Sequence, residues 1–290
     1  MQSSAHEPNK LPPHLGSTIP DPEVPPGVEV VRDVAFGEHE RQSYDIYLPQ
    51  NAEGPLPVVV YIHSGGWRRR DKRAIRTMFV LDQGYALVSI GYRLVQHAIF
   101  PAPIHDVNDG LRHLIEHGAS YGLDTDRLVI AGTSAGAHLS ALAVLGRNNE
   151  ALKPVNDFRP LGVIAAYGCY DLPYLLEHPE LHERDHFGAD APLVIATGGD
   201  PAGQRHLLEL MSPQAYVTAD APPFYVLHGT ADPVLPFSQS ANFAAAMATA
   251  GARIAFEPVP GAGHGDECFR QPPISDRMML FINEVMSSAP

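Results

Sequence analysis

One stretch constrains the fold more than any other. Leu128-Val129-Ile130-Ala131 is a short apolar run, Gly132-Thr133-Ser134-Ala135-Gly136 follows at once, and Ala137 to Leu145 suits a helix. A buried strand, a sharp turn carrying a serine and a helix make a nucleophile elbow. The serine sits at the tip in a strained backbone conformation, and glycines flank it because side chains at 132 and 136 would collide with the neighbouring strand and helix. With 25 glycines in 290 residues, the five-residue pattern alone is a moderate signal. Its place between a strand and a helix gives it weight.

The rest of the chain agrees with that elbow. Residues 1–27 are polar and hold seven prolines, which excludes a helix or a central strand. They read as an extended N-terminal arm, loose or wrapped over the body. Val28 to Phe36 and Gln42 to Leu48 alternate in hydrophobicity and read as an antiparallel hairpin at a sheet edge. Val58 to Ile62 is apolar on both faces, as central parallel strands are. Arg73 to Gln83 reads as a helix ended by Gly84, Tyr85 to Ile90 as a buried strand, and Pro101 to about His117 as a helix with proline in its first turn. Leu161 to Ala166, Phe224 to Leu227 and Arg253 to Pro258 are further strands; Ser238 to Ala250 and Ile274 to Met286 are helices. This alternation gives the α/β class: a doubly wound, mostly parallel sheet in one domain over 28–290. Between Asp171 and Ala221 the alternation stops. Leu172 to His182 looks helical, Pro192 to Thr197 is a short apolar run, and about 172–215 is expected to be a small cap insertion over the carboxyl ends of the strands.

Bulk properties exclude several classes of function. A formal charge of −13 argues against nucleic acid and anionic membrane surfaces as partners. No run of 18 apolar residues exists, so no transmembrane helix is expected. Residues 1–27 lack the apolar core of a secretory signal, and a cytoplasmic protein is the expectation. Cys169 and Cys268 are too few for a disulfide framework and read as two buried thiols or one bridge. The proline-rich arm would allow a homodimer by embracing a second copy.

A serine hydroxyl at neutral pH needs a base within hydrogen-bond reach and a carboxylate to orient that base. The order serine, acid, histidine along the chain fits two later loops. Asp232, in His228-Gly229-Thr230-Ala231-Asp232-Pro233, lies just past one strand end. His264, in Pro260-Gly261-Ala262-Gly263-His264-Gly265, follows the last strand. Parallel strands share one carboxyl edge, so both loops fall on the edge that carries Ser134. His228 is read as holding its loop, and Asp266 comes after His264, in the wrong order. Acyl transfer also develops an oxyanion that backbone N–H groups must face. Ala135, next to the serine, supplies one. Gly65 and Gly66, after the Val58–Ile62 strand, are the expected others, since glycines let backbone approach a substrate closely.

These residues carry a family resemblance. His63-Ser64-Gly65-Gly66-Trp67, the Ser134 elbow, the Asp232-Pro233 loop and Gly263-His264-Gly265 resemble α/β-hydrolase esterases of the hormone-sensitive-lipase-like group. The similarity is greatest to the BD-FAE (feruloyl-esterase-like) and kynurenine-formamidase-like branch. Tyr44 to Pro49, Phe100 to Asp106, Gly198 to Pro201 and Ser212-Pro213 extend the likeness over about 28–287. The resemblance implies an α/β-hydrolase fold and a serine hydrolase with a small-molecule ester or amide substrate, no cofactor and no metal. It also implies a structural His63, a Trp67 that braces the loop or lines the pocket, and a packed His138. Ser64 stands where the family usually has its first glycine and adds a side chain near the pocket.

Two charge clusters remain. Arg68, Arg69, Arg70, Lys72, Arg73 and Arg76 read either as a solvated helix face paired with acidic neighbours or as an attractor of carboxylate-bearing substrates. His178, His182 and His186 are spaced to share a helix face and read as a solvated lid helix rather than a metal site. Three functions follow. The first is hydrolysis of short-chain acyl or aryl esters. The second is hydrolysis of formamides such as N-formyl-kynurenine. The third is ligand binding on a non-catalytic hydrolase scaffold.

Overall fold

The computed structural model describes residues 19–50, 54–181 and 191–288. The runs apolar on both faces become inner strands, and the alternating ones become the edge. β1 (Val28–Ala35) and β2 (Ser43–Pro49) form the edge hairpin. They are followed by β3 (Leu56–Ile62), β4 (Ala86–Ile90), β5 (Leu123–Thr133), β6 (Gly162–Ala166), β7 (Phe224–Gly229) and β8 (Ile254–Val259). The sheet order is β1-β2-β4-β3-β5-β6-β7-β8. β1 and β2 pair antiparallel, β2 and β4 likewise, and every other neighbouring pair is parallel.

Alternate residues of each inner strand enter opposite layers, as the pleat requires. Val58, Val60 and Ile62 pack under α1 (Ala102–His117), α2 (Ala135–Leu145) and, farther along the sheet, the helix that follows β7. Val59 and Tyr61 pack into the other layer, with Val80 and Leu81 of a short 3-10 helix and with the C-terminal helix. α2 is buried along its whole length, which explains why its sequence is apolar all round.

Three sequence expectations change. Arg73 to Gln83 is a helix only from Met78 to Gln83, as one 3-10 segment capped by Gly84 at φ 82°. The preceding residues turn because Lys72 is drawn inward to Asp45 (2.6 Å) and Asp33 (2.5 Å), and Asp71 holds Arg73. The basic stretch is therefore not a helix face. The helix from Leu172 stops at Glu177, where Pro179 ends the pattern; His182 and His186 lie outside the described residues. β5 begins at Leu123 rather than Leu128, with a register shift against β3 between Pro57 and Val58.

Between β6 and β7 no strand occurs among the described residues. α3 (Leu172–Glu177), α4 (Pro192–Ala196) and α5 (Arg205–Leu210) fill the interval; α6 (Ser238–Thr249) and α7 (Ile274–Ser287) complete the chain. Of the arm, residues 1–18 lie outside the described residues. From Ile19 onward it runs over the body: Val24 packs against the second core layer and Ile19 reaches the cavity described below. No helix among the described residues is long and apolar enough to cross a membrane.

One buried carboxylate ties three elements together. Asp106 of α1 is fully buried and accepts from the Arg93 backbone N–H (2.8 Å), from Arg93 Nε (2.8 Å) and Nη2 (2.7 Å), and from Gln42 beside β2 (2.8 Å). Removing it leaves the partly buried Arg93 guanidinium and Gln42 amide without the acceptor they share. Asp106→Ala is expected to lower the unfolding free energy by about 3 kcal/mol or more, read from the midpoint of a urea titration.

Candidate active site

β5 delivers Ser134 and α2 carries the chain away. Ser134 holds φ 55° and ψ −120°, a region an L-residue adopts only when its surroundings force it. Its N–H donates to Ala166 O of β6 (2.9 Å), and its carbonyl accepts from the His138 N–H (3.0 Å). The side chain is thereby turned out at the carboxyl edge. The flanking glycines are steric necessities. A Cβ at Gly136 would lie 2.0 Å from the Ile62 carbonyl oxygen of β3, and one at Gly132 would lie 2.3 Å from the carbonyl oxygen of Gly136.

Asp232 follows β7 and His264 follows β8, and the fold brings both to Ser134. His264 Nδ1 donates to Asp232 Oδ2 (2.7 Å), which leaves Nε2 to accept from Ser134 Oγ (2.9 Å). The His264 ring lies edge-on to Tyr167, with ring centroids 5.0 Å apart. Asp232 has no exposed side-chain surface. Its Oδ1 accepts from the Val234 and Leu235 amides (2.8 and 3.0 Å), and its Oδ2 accepts also from His228 Nε2 (3.1 Å). His228 is fixed in turn by Ser240, whose hydroxyl meets Nδ1 at 2.7 Å.

Burial opposes ionisation of Asp232, but the hydrogen bonds from His228 and His264 outweigh it and hold the carboxyl well below its ordinary 3.8. Because the folded value is the lower one, ionised Asp232 stabilises the fold above about pH 4. That contribution falls away as the pH drops below the ordinary value and is gone once acid reaches the lowered one.

These side chains open onto a cavity of about 510 Å³. Ser64, Gly65, Gly66, Ala135 and Trp67 line it, together with Ser134 and His264. Ala135 is the first residue of α2, so its N–H has no intrahelical acceptor. Gly65 has φ 121°, and a Cβ there would lie 2.1 Å from the Arg69 carbonyl oxygen. Its own carbonyl is turned back to accept from the amides of Arg68 and Arg69.

Trp67 both lines the cavity and braces its loop. Its indole N–H donates to His138 Nδ1 (3.1 Å), and His138 Nε2 donates to Met211 O (2.6 Å). Desolvation lowers His138 to about 4, which keeps it neutral and in that tautomer. His63 is buried, stacks on Tyr92 with centroids 4.2 Å apart, and donates from Nδ1 to Ser64 O (2.8 Å). Asp266 caps a short turn at the Cys268 amide. Cys169 and Cys268 are both free, and burial pushes the Cys169 thiol up.

The structure adds wall residues that the sequence reading missed. Tyr167, Cys169, Leu175, Leu193 and Leu235 all line the cavity. Tyr167 had a signal: it is the first residue past the β6 run, on the same strand edge as Asp232. Leu175 of α3 and Leu193 of α4 had none beyond lying in the expected cap.

The model of the family described as BD-FAE matches residues 44–247. Esterase LipQ of Mycobacterium tuberculosis is 36% identical over 80% of this chain and 56% of its own length. Esterase LipC of the same organism is 31% identical over 89% of this chain and 66% of its own. The chain thus spans less than two thirds of the length of these relatives. Among solved structures, a truncated carbohydrate esterase from gut microbiota superposes with a TM-score of 0.80 at 26% identity, covering 90% of this chain and 97% of that one. The fold is that of the α/β-hydrolases.

The glycine contacts give a stability test. Gly136→Ala forces a Cβ into the β3 carbonyl and should cost about 1–3 kcal/mol, whereas Gly263→Ala meets nothing within 4 Å and should stay within about 0.5 kcal/mol of the parent. Paired urea denaturation curves compare the two.

Proposed function

The chain belongs to the BD-FAE family, and on that premise we propose that it is a serine hydrolase of carboxylic esters working through an acyl-enzyme. The observation that carries this reading is the unbroken line Ser134 Oγ to His264 Nε2 to Asp232 Oδ2, at 2.9 and 2.7 Å, opening onto a cavity. Ser134 Oγ attacks the ester carbonyl and its proton passes to His264 Nε2. Asp232 holds the Nδ1–H tautomer beforehand and stabilises the imidazolium afterwards. The amides of Gly65, Gly66 and Ala135 donate to the oxyanion of the tetrahedral intermediate. His264 then returns the proton to the departing alkoxide oxygen, and a water molecule activated by the same nitrogen releases the acid.

Two of the relatives are named as esterases, and another, from rice, as a probable isoprenylcysteine alpha-carbonyl methylesterase. These names favour ester over formamide cleavage. A non-catalytic binding role is disfavoured because all three members of the line are present and bonded.

Ser134→Ala should lower kcat on p-nitrophenyl acetate by about four orders of magnitude or more and change KM little. Activity within tenfold of the parent would sink the serine mechanism. Asp232→Asn should lower kcat by roughly 10³–10⁴ through loss of the imidazole tautomer, measured with the same substrate on protein whose circular dichroism matches the parent.

A further inference from the structure

The basic stretch after Trp67 divides in two. Lys72 is buried against Asp33 and Asp45, and Arg73 is bonded to Asp71. These charges are structural. Arg69, Arg70 and Arg76 are different: all three line the cavity in front of Ser134. Among the described residues none of the three has a carboxylate within ion-pair distance, and no aspartate or glutamate lines the cavity. Arg76 is positioned by its own hydrogen bond to Gly265 O (3.2 Å), beside His264. Arg69 belongs to the same tight turn as Gly65, to whose carbonyl its amide donates (3.0 Å).

Acidic residues outnumber basic ones 33 to 20 in this chain. Three arginines and no carboxylate among the described lining residues are therefore a local inversion of the protein's charge. The cavity is also lined by apolar side chains, Leu175, Leu193 and Leu235. Apolar wall, reactive serine and cationic rim together describe a substrate with one charged end. Taking the ester-hydrolase reading above as its basis, we infer that the site selects esters bearing a carboxylate or similar anion, bound by Arg69, Arg70 and Arg76. Guanidinium groups suit this role because they stay charged and offer planar paired donors to a carboxylate. Arg69 and Arg70 are exposed at the rim, so each contact is screened by solvent and contributes at most about fivefold. The three acting together give about tenfold or more.

Matched esters test this. One pair carries the charge on the alcohol side, 4-acetoxybenzoate against its neutral methyl ester. The other carries it on the acyl side, the p-nitrophenyl half-ester of adipic acid against p-nitrophenyl heptanoate. The expected result is a kcat/KM at least about tenfold higher for the anionic member of one pair at low salt, fading at about 0.5 M NaCl as screening shortens the range of the charges. An Arg69→Gln/Arg70→Gln double variant should lose most of that preference, read as the ratio of kcat/KM within each pair. Equal rates within both pairs, or a preference that survives in the double variant, would overturn the inference.

If no ester is cleaved at all, the hydrolase reading fails, and calorimetry decides the remaining question. Parent protein that binds 4-hydroxybenzoate over methyl 4-hydroxybenzoate, with the difference abolished in the double variant, supports the anion site. Equal binding of the two overturns it.

Discussion

The contact between Gly136 and β3 sets everything else in the site. At the start of α2 the backbone presses onto the end of β3 so closely that a single methyl group at position 136 would fall 2.0 Å from the Ile62 carbonyl oxygen. Helix and strand can approach that far only without a side chain between them. The approach places Ser134 against the loop that leaves β3, and the loop at 64–66 then shares a cavity with it. The same closeness forces the serine into its strained turn, held by the β6 carbonyl of Ala166. The strain is borne by a sheet and a helix that are both buried, which is why it persists.

Much of this was legible in the amino-acid order because steric and solvation demands left few choices. Runs such as Val58 to Ile62 must be buried on both faces, and only the interior of a parallel sheet offers that. Gly132 and Gly136 announce the elbow because no other residue fits there. Asp232 and His264 could be picked from among fifteen histidines and 33 acidic residues because parallel strands deliver their following loops to one edge. What was not legible depends on partners distant in sequence. Arg73 to Thr77 looks helical until Lys72 is seen tied to Asp33 and Asp45 on the edge hairpin. The basic stretch looks like one patch until the structure separates charges with partners from those facing the cavity. Ile19 has no local feature that points to a cavity wall, yet the arm places it there.

The loop after β3 is bound into the body at several points. Trp67 is joined through His138 of α2 to the Met211 carbonyl at the end of α5. Desolvation keeps that imidazole neutral, so the relay of donors runs in one direction and does not reverse near neutral pH. His63 is clamped by stacking on Tyr92, whose hydroxyl donates to the His63 carbonyl (3.0 Å). The backbone that would face an oxyanion is therefore supported from behind by aromatic rings and from the side by the segment between β6 and β7.

Asp232 repays a count of its lone pairs. A carboxylate offers about four acceptor directions, and here four donors fill them: two backbone amides on Oδ1 and two imidazole nitrogens on Oδ2. Nothing is left over for water, and no free lone pair invites a proton. The group has in effect lost its rotational freedom, and the ring of His264 inherits that immobility. The alignment of imidazole and hydroxyl is thus completed during folding, so an arriving ligand meets it already in place and need not supply the entropy of assembling it.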